Sequence, residues 1–221
     1  HSPHPLSSAA SDVYKRQVLA SRMGDYQSGE LDQLCLAGEI VWIGAGGLGS
    51  TDGRVRLVFR DQARLLVPPP DEIELDATAR AILSHLEDRG ASFWSDIQQA
   101  VADRGSDYAD EVVLAALWDL VWAGHVTNDS LAPVRALLAG KRKPGGRAGH
   151  ARRGRPRPGG LTRSGPPSAA GRWSLVAPLL DPTPTQTEVV HARALQLLER
   201  YGVLTREMAL AEGAKGGFAG V

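Results

Sequence analysis

The sequence predicts a mainly α-helical fold with small β-hairpins, arranged as repeated modules. Three observations support this prediction. Apolar residues recur at helical spacing in several segments, and glycines end many of them. Short apolar runs follow two of those glycines and predict strands. One pattern, L-x-x-L-x-x-A-G-x-[I/V], occurs in both 31–40 and 117–126, and internal repetition is typical of tandem modules.

The first module is predicted in residues 18–70, as the end of a winged helix. Its helix is indicated by apolar residues before Gly38, namely Leu31, Leu34, Cys35 and Ala37. The runs "IVWI" (40–43) and "RVRLVFR" (54–60) predict two strands. This order is that of a recognition helix followed by a two-stranded wing. "VPPP" (67–70) ends the module, because proline continues neither a strand ladder nor a helix interior.

A glycine-rich stretch between the two predicted strands contains Gly44-x-Gly46-x-x-Gly49, the spacing of the dinucleotide fingerprint. That fingerprint needs a helix beginning at the loop, because the helix N-terminus holds the pyrophosphate. Here the turn "TDG" and a basic strand follow instead. The context favours a turn at the tip of a wing over a nucleotide-binding loop.

The second module, a winged-helix domain, is predicted in residues 71–140. Three helices and a short fourth are indicated by apolar faces, and they cover 77–88, 94–102, a segment from Asp107 or Asp110 to Gly124, and 131–138. Asp76 can cap the first of them. "HVTN" (125–128) predicts the first wing strand, and "RWSLV" (172–176) predicts its return strand. Residues 173–184 would supply this return strand and a linker.

A basic tract separates those two strands. Lys141 to Arg172 holds ten Lys or Arg and no Asp or Glu, which leaves 15 basic against 25 acidic residues elsewhere. The tract is rich in Gly and Pro and poor in apolar residues, so we expect residues 141–172 to be a disordered insertion. The segregation of charge indicates contact with nucleic acid.

A third winged helix is predicted to begin in residues 185–221. A helix over 187–201 would turn four apolar residues inward, namely Val190, Ala194, Leu197 and Leu198. "GVLTREMALAEG" (202–213) predicts a second helix, and a third would begin near Gly217. We expect this module to be truncated and the sequence to be an internal fragment of a longer protein.

The N-terminus is expected to be foreign to the natural protein. "DVYKRQ" (12–17) resembles the translation of an adapter used in sequencing libraries. Residues 1–17 are therefore predicted to be non-native or disordered and carry no fold argument. The alternative is a natural disordered tail.

Several stretches together resemble the C-terminal half of large helicase-related (Lhr) proteins, particularly the actinobacterial type. They include "ELDQLCLAGEIVWIGAG", "DGRVRLVFRD", "RGASFW", "ALWDLVWAGHVTND", "APVRALLAGKR", "GRWSLV" and "ERYGVLTREMALAEGAKGGFAGV", and they span most of 29–221. Their order and tandem placement make the resemblance specific. It implies a winged-helix region of an ATP-dependent helicase or translocase that acts on DNA in repair.

The resemblance also implies a motor that this sequence does not carry. Members of the family have an ATPase motor first, then several winged helices and a terminal β-barrel. Neither a GxxxxGK[ST] loop nor a DEAH-type box occurs here. We therefore expect no catalytic residue, cofactor site or metal site in this chain, with ATP and Mg²⁺ bound by the parent's motor. The other expected partners are the rest of the helicase chain and a possible second copy.

The candidate nucleic-acid-binding residues are basic side chains in two places. Arg54, Arg56 and Arg60 are separated by even numbers of residues, so on a strand their side chains would lie on one face and could contact phosphates. An ordinary solvent-exposed strand face is equally consistent with this spacing. The second group lies in the basic tract and comprises Lys141, Arg142, Lys143, Arg147, Arg152, Arg153, Arg155 and Arg157. Phosphate neutralisation by the tract would be non-sequence-specific and salt-dependent; the alternative is a solvated linker.

Other residues of chemical interest favour structural roles. Trp118 and Trp122 could stack on bases, but their spacing fits core packing better. No histidines show metal-ligand spacing. Cys35 is the single cysteine, so no intrachain disulfide can form and a cytoplasmic location is expected. The resemblance to DNA helicases implies that this location is nucleoid-associated. The sequence has no apolar run long enough for a membrane span.

Overall fold

The computed structural model describes residues 28–49, 52–104, 109–139, 165–212 and 216–220. The α-helices in these residues are α1 (Ser28–Leu36), α2 (Ala63–Leu66), α3 (Ala77–Arg89), α4 (Trp94–Ala102), α5 (Asp110–Trp122), α6 (Ala132–Ala139), α7 (Gln186–Tyr201) and α8 (Arg206–Ala211). The strands are β1 (Ile40–Gly49), β2 (Asp52–Phe59), β3 (Ser92–Phe93), β4 (Val126–Asn128) and β5 (Arg172–Leu175). Short 3-10 helices lie at Arg60–Gln62, Pro167–Ala169, Ala177–Leu179 and Gly217–Gly220. The predicted class, mainly α with small hairpins in winged-helix modules, is confirmed.

The repeated sequence pattern forms the same helix end twice. At the end of α1, the amide of Glu39 donates to Leu34 O at 3.0 Å and Gly38 has φ +76°. At the end of α5, the amide of His125 donates to Leu120 O at 2.9 Å and Gly124 has φ +83°. Both ends satisfy helix carbonyls with a glycine in the left-handed region, which L side chains avoid.

The first wing differs from the predicted one in where its glycines lie. β1 and β2 pair antiparallel from Ile40↔Phe59 to Gly49↔Asp52, with register shifts between Gly44 and Gly47 and between Gly47 and Gly49. The prediction that the glycine motif forms the turn is wrong for Gly44 and Gly46, because Gly44 pairs with Val55 and Gly46 lies in a bulge, whereas Gly49 pairs with Asp52 at the end of the hairpin. Glycine suits this bulge since Gly46 has φ +97°.

The second module contains its three predicted helices and a three-stranded antiparallel sheet. The order along the chain is α3, β3, α4, α5, β4, α6 and β5, and the sheet order is β3-β5-β4. Asp76 Oδ1 accepts from the amide of Ala79 at 2.7 Å, which confirms the predicted cap. The return strand is confirmed as well, because Val126 pairs with Leu175 and Ser92 with Trp173.

Residues 165–172 depart from the expected disordered insertion. They pack on the second module, where Ala169 is 1% exposed and Trp118 Nε1 donates to Ser168 O at 3.2 Å. Arg172 lies in β5 and forms an ion pair with Asp129 at 3.1 Å. The physical reason is that "GPPSAAGRW" supplies small apolar surface and a preset extended backbone.

One hydrophobic core joins the first two modules. Leu31, Cys35 and Trp42 of the first module belong to the same buried cluster as α3, α4, α5 and Trp173 of the second. A second cluster lies on the other face of β1, around Val41 and Ile43, with Val176 from beyond β5. Both faces of β1 are thus covered, which fixes the wing against the rest of the molecule.

The third module begins with α7 and α8. Thr185 caps α7 in a reciprocal capping box with Glu188. Leu197 is buried as predicted, but Leu198 is 41% exposed, so its predicted inward position is wrong. α7 rests on α2, and Arg64 pairs with Glu188 at 3.3 Å. Within the described ranges, no helix is long and apolar enough to cross a bilayer.

Candidate nucleic-acid interface

Arg54 and Arg56 lie on one exposed face of β2. They alternate along the strand with Gly53 and Val55, which face the opposite side. Within the described residues, neither guanidinium has a hydrogen bond or an ion pair. Arg60 does not share this face as predicted, because β2 ends at Phe59 and Arg60 begins a 3-10 helix. Two of the three predicted wing arginines therefore form a common exposed surface.

Glycines on the other side of the hairpin allow it to approach α5 closely. A Cβ atom at Gly44 would lie 1.8 Å from Val121 O, and one at Gly53 would lie 2.3 Å from the Trp122 ring. Real Cβ contacts do not occur at these distances, so neither position accepts a side chain without movement of the wing. The glycines fix the hairpin's glycine face on α5 and leave its arginine face turned away.

Polar contacts between α1, β1 and the second module support the same placement. Asp32 Oδ1 accepts from the amide of Leu131 at 3.1 Å, ahead of α6, and its other oxygen pairs with Arg135. Trp42 Nε1 donates to Ser130 O at 2.9 Å. These bonds join elements that are distant in sequence, so the first wing and the second module are one packed unit.

The Arg56 guanidinium has neighbours of both signs. Partial burial lowers the pKa of Arg56, Asp71 opposes that shift, and Arg193 of α7 lowers the pKa further. Arg193 is half-buried on α7. Sequence reasoning missed Arg193, since nothing in the pattern of α7 connects it with a wing more than a hundred residues earlier.

Within the described residues, α1 and α5, the third helices of the first two predicted winged helices, expose no cation. The exposed positions of α5 are Asp110, Glu111, Val112, Ala115 and Asp119, and those of α1 include Glu30, Gln33 and Leu36. Burial and the neighbouring Asp76 raise the pKa of Asp119. DNA-reading helices approach a polyanion and place donors in its major groove. The surfaces of α1 and α5 do not have that character.

The tryptophans are core residues. Trp118 and Trp122 are 3% and 5% exposed, with ring centroids 5.0 Å apart, and Trp118 packs edge-to-face on Trp173 at 5.7 Å. Their burial confirms the packing interpretation over base stacking. Trp42, Trp94 and Trp173 are also buried.

The candidate residues in 141–157 lie outside the described residues. These candidates are Lys141, Arg142, Lys143, Arg147, Arg152, Arg153, Arg155 and Arg157. α6, which ends at Ala139, packs against the 3-10 helix at Pro167–Ala169. Gly165 packs on Trp94. The described residues on the two sides of 140–164 therefore lie close to each other.

The geometry of the described residues gives little support for a dinucleotide site, a metal site or a reactive thiol. The glycine motif is not followed by a helix N-terminus, which contradicts dinucleotide binding. Among the described residues, no three His, Cys, Asp or Glu side chains are grouped as metal ligands. His85 Nε2 lies 3.1 Å from Ser92 Oγ, and burial lowers the pKa of His85. Burial also raises the pKa of Cys35 to about 11, which disfavours the reactive thiolate.

Comparison with known proteins gives consistent matches. Two family models described as "Large helicase-related protein, winged-helix domain" match residues 7–60 and 183–221. "Lhr helicase/ probable uracil glycosylase" of Mycolicibacterium smegmatis is 39% identical over 223 residues, covering 98% of this chain. "Lhr helicase/uracil glycosylase" of Escherichia coli is 38% identical over 218 residues, covering 93% of it.

The extent of these matches concerns how much of each relative the chain covers and whether residues 1–17 are non-native. The chain spans 14% of the length of each relative. The first family match begins at residue 7 and so includes part of the segment 1–17 that was expected to be non-native. The non-native origin of that segment stays a prediction, as do the domain boundaries.

Proposed function

Since the chain carries winged-helix domains of the large helicase-related family, we propose that it is a nucleic-acid-binding accessory region of an ATP-dependent DNA helicase or translocase that acts in repair. In this proposal the region is one part of a longer cytoplasmic, nucleoid-associated chain. A motor elsewhere in that chain binds ATP and Mg²⁺ and hydrolyses the nucleotide. The part described in this structure holds single-stranded or duplex DNA without sequence preference and catalyses no reaction itself.

The observation that carries the proposal is the exposure of Arg54 and Arg56 on β2, beyond the part of that face that packs on α2. The glycine face of the same hairpin is fixed on α5, and Arg54 and Arg56 project to the opposite side. The distribution of charge supports it further, because ten basic residues and no acidic ones lie in 141–172 and the remainder of the chain is acidic. Cations without base-reading partners position a protein on phosphates and carry no sequence information.

The test is a binding titration at several salt concentrations. Fluorescence anisotropy would compare labelled single-stranded and duplex oligonucleotides on the full chain and on a variant in which all Lys and Arg of 141–163 become Gln. A second variant with Arg→Lys throughout the same segment keeps its charge and length. Residues 165–172 stay unchanged because they are packed in the fold.

The expected result is a loss of affinity and of salt dependence in the Gln variant alone. On a single strand, the slope of log K against log salt falls by about 0.7 for each phosphate contact removed. Equal affinity and slope in the Gln variant would make the tract a linker and leave binding to the wing. No binding by the full chain at low salt would contradict the proposal.

A second candidate function, protein interaction or oligomerisation within the same helicase, is favoured by one surface. α7 and the residues after it expose large apolar side chains, namely Leu195, Leu198, Tyr201, Val203, Leu210 and Phe218. A group of exposed apolar side chains is typical of an interaction site. Sedimentation velocity over a wide range of protein concentration tests it, with Leu210→Ser as the variant. Concentration-dependent association that this substitution weakens would support it, and a monomer throughout would contradict it.

A further inference from the structure

We propose that residues 165–176 form an exchangeable arm, through which two copies of the chain join when their concentration is high. In this arrangement each copy inserts its arm into the second module of the other copy, in place of that copy's own arm. The partner is therefore a second copy of this chain, and no new surface is needed. The inference does not depend on nucleic-acid binding or on the exposed apolar side chains of α7 and the residues after it.

The arm fills a groove in the second module. β5, which lies within the arm, pairs with β3 on one side and with β4 on the other, and β3 and β4 do not pair with each other. Adjacent strands lie about 4.8 Å apart, so the groove between β3 and β4 is one strand wide. Trp173 and Val176 are 0% exposed, and Ala169 is 1% exposed. The arm is thus part of the core, and its removal would expose that core.

Specific contacts fix the arm in this groove. Trp118 Nε1 donates to Ser168 O at 3.2 Å. Asp129 accepts from the backbone amide of Arg172 at 3.0 Å and from its guanidinium at 3.1 Å. The Trp118 ring also packs edge-to-face on the Trp173 ring, with 5.7 Å between the centroids. The groove therefore recognises the side chains of the arm as well as its backbone.

The arm and its groove are far apart in the sequence. Trp118 and Asp129 precede residue 140, the arm begins at Gly165, and the 25 residues 140–164 lie between them. A chain of that length spans at most about 80–90 Å, which is enough to reach a groove in a neighbouring copy. The contacts of the arm are the same whether it comes from the same chain or from a second copy, so they favour neither arrangement. For this reason, exchange of an identical element is a low-cost route to dimers.

The third module accompanies the arm. α7 follows the arm in the sequence and packs on α2, where Arg64 pairs with Glu188 at 3.3 Å. In the exchanged dimer this ion pair joins α2 of one copy to α7 of the other. Solvent-exposed ion pairs contribute little to stability, so the arm itself holds the two copies together.

Protein concentration therefore decides which arrangement forms. A tether supplies an arm to its own groove at an effective concentration of roughly 1 mM. A chain that folds at about 10 µM thus has about one arm in a hundred exchanged, whereas about half of the arms are exchanged at about 1 mM. Since Trp173 is buried, the arm leaves its groove only when the module opens locally. Folded copies therefore retain the arrangement in which they formed.

The test is a disulfide between β4 and β5. Thr127 and Ser174 are partners in the antiparallel ladder, at a Cα spacing that a disulfide bridges. On a Cys35→Ala background, which removes the single cysteine, one full chain carries Thr127→Cys and another carries Ser174→Cys. The two chains are mixed, unfolded in urea and refolded together at about 10 µM or about 1 mM. Both samples are diluted before oxidation, and non-reducing electrophoresis measures the linked dimer.

Two controls use the same background. In the first, Ser95→Cys replaces Thr127→Cys, because Ser95 is exposed on α4 and does not pair with β5. The second is a single chain with both Thr127→Cys and Ser174→Cys, which should form the disulfide within a monomer after refolding at about 10 µM. Circular dichroism melts establish that each variant folds.

We expect the linked dimer to increase by roughly tenfold or more between the two refolding concentrations, and to stay at background with Ser95→Cys. An intrachain disulfide in the doubly substituted chain, without linked dimer at the higher concentration, would overturn the exchange. Equal yields of dimer with Thr127→Cys and Ser95→Cys, above background, would also overturn it. Association in sedimentation velocity without the disulfide between copies would overturn it as well, and would assign the contact to the apolar surface of α7.

Absence of the disulfide in the doubly substituted chain would show that β4 and β5 do not pair, and this result would also contradict the inference. None of these measurements involves nucleic acid, so a failure of the exchange leaves the proposed function standing.

Discussion

The close contact between the wing and α5 makes a strong prediction for Gly44→Ala. The new Cβ would lie 1.8 Å from Val121 O and 2.9 Å from the Trp122 Cα atom. Both neighbours are backbone atoms that cannot rotate away. An ordinary contact begins near 3.4 Å, so the wing must retreat from α5 by more than an ångström. Gly44 does not need a left-handed backbone, so the substitution tests sterics alone.

The expected cost is that of an overpacked core, about 3 kcal/mol in unfolding free energy. For a chain of this length, each kcal/mol lowers Tm by roughly 2–4 °C, so the loss is about 6–12 °C. Thermal melts followed by circular dichroism measure it. Gly29→Ala is the matched control, because a Cβ there meets nothing within 4 Å and no steric loss is expected.

A double-mutant cycle at the neighbouring contact sharpens this prediction. Gly53→Ala places its Cβ against the Trp122 ring, at 2.3 Å. We expect it to cost about 1–3 kcal/mol in the unmodified chain and almost nothing once Trp122→Leu has removed the ring. The wing does not pack on α5 as described if Gly44→Ala has the same Tm as Gly29→Ala. The same conclusion follows if Gly53→Ala lowers the unfolding free energy equally in the unmodified chain and in the Trp122→Leu variant.

Three further outcomes follow from contacts described above. Asp32→Ala leaves the Leu131 amide and Arg135 without their acceptor and should lower stability by about 1–3 kcal/mol in urea unfolding; an unchanged midpoint would show that α1 does not hold α6. Cys35 should react with a thiol reagent at pH 8 only at the rate of unfolding, and fast labelling of the folded chain would contradict its burial. Hydrogen bonds with Thr185 and Arg64 hold the pKa of Glu188 below 4.5 in the folded chain. The ionised Glu188 therefore contributes its full stabilisation above pH 4.5, and this contribution is lost as the pH falls through the lower pKa of the folded state. Glu188→Gln should remove that part of the loss of stability in acid, and an unaltered profile of stability against pH would refute the reasoning.

The local elements were predictable because their causes are local. Asp76 and Thr185 precede their helices at capping positions, and Gly38 and Gly124 end theirs in the same motif. A few residues of sequence contain all of that information. The return strand at 172–175 was predictable for another reason, because a repeated module with one wing strand requires the other.

The candidate site depends on contacts that no local pattern contains. The spacing of Gly44, Gly46 and Gly49 suggested a turn, but the reason for Gly44 is a carbonyl of α5, far along the chain. Residues 165–170 have a low-complexity composition that predicts disorder, yet Trp94 and Trp118 provide the surface that orders them. These features depend on contacts between residues that are far apart in the sequence.

The strand order β3-β5-β4 has a consequence for how the chain is made. β3 and β4 do not pair with each other, and both depend on β5, the last of the three to be synthesised. The sheet of the second module therefore cannot close on the ribosome until the residues beyond the basic tract have emerged. Until then the Trp118 ring lacks Trp173 as its neighbour. A nick within residues 141–164 would also leave two fragments held together by the central strand, so cleavage alone would not separate the two ends of the molecule.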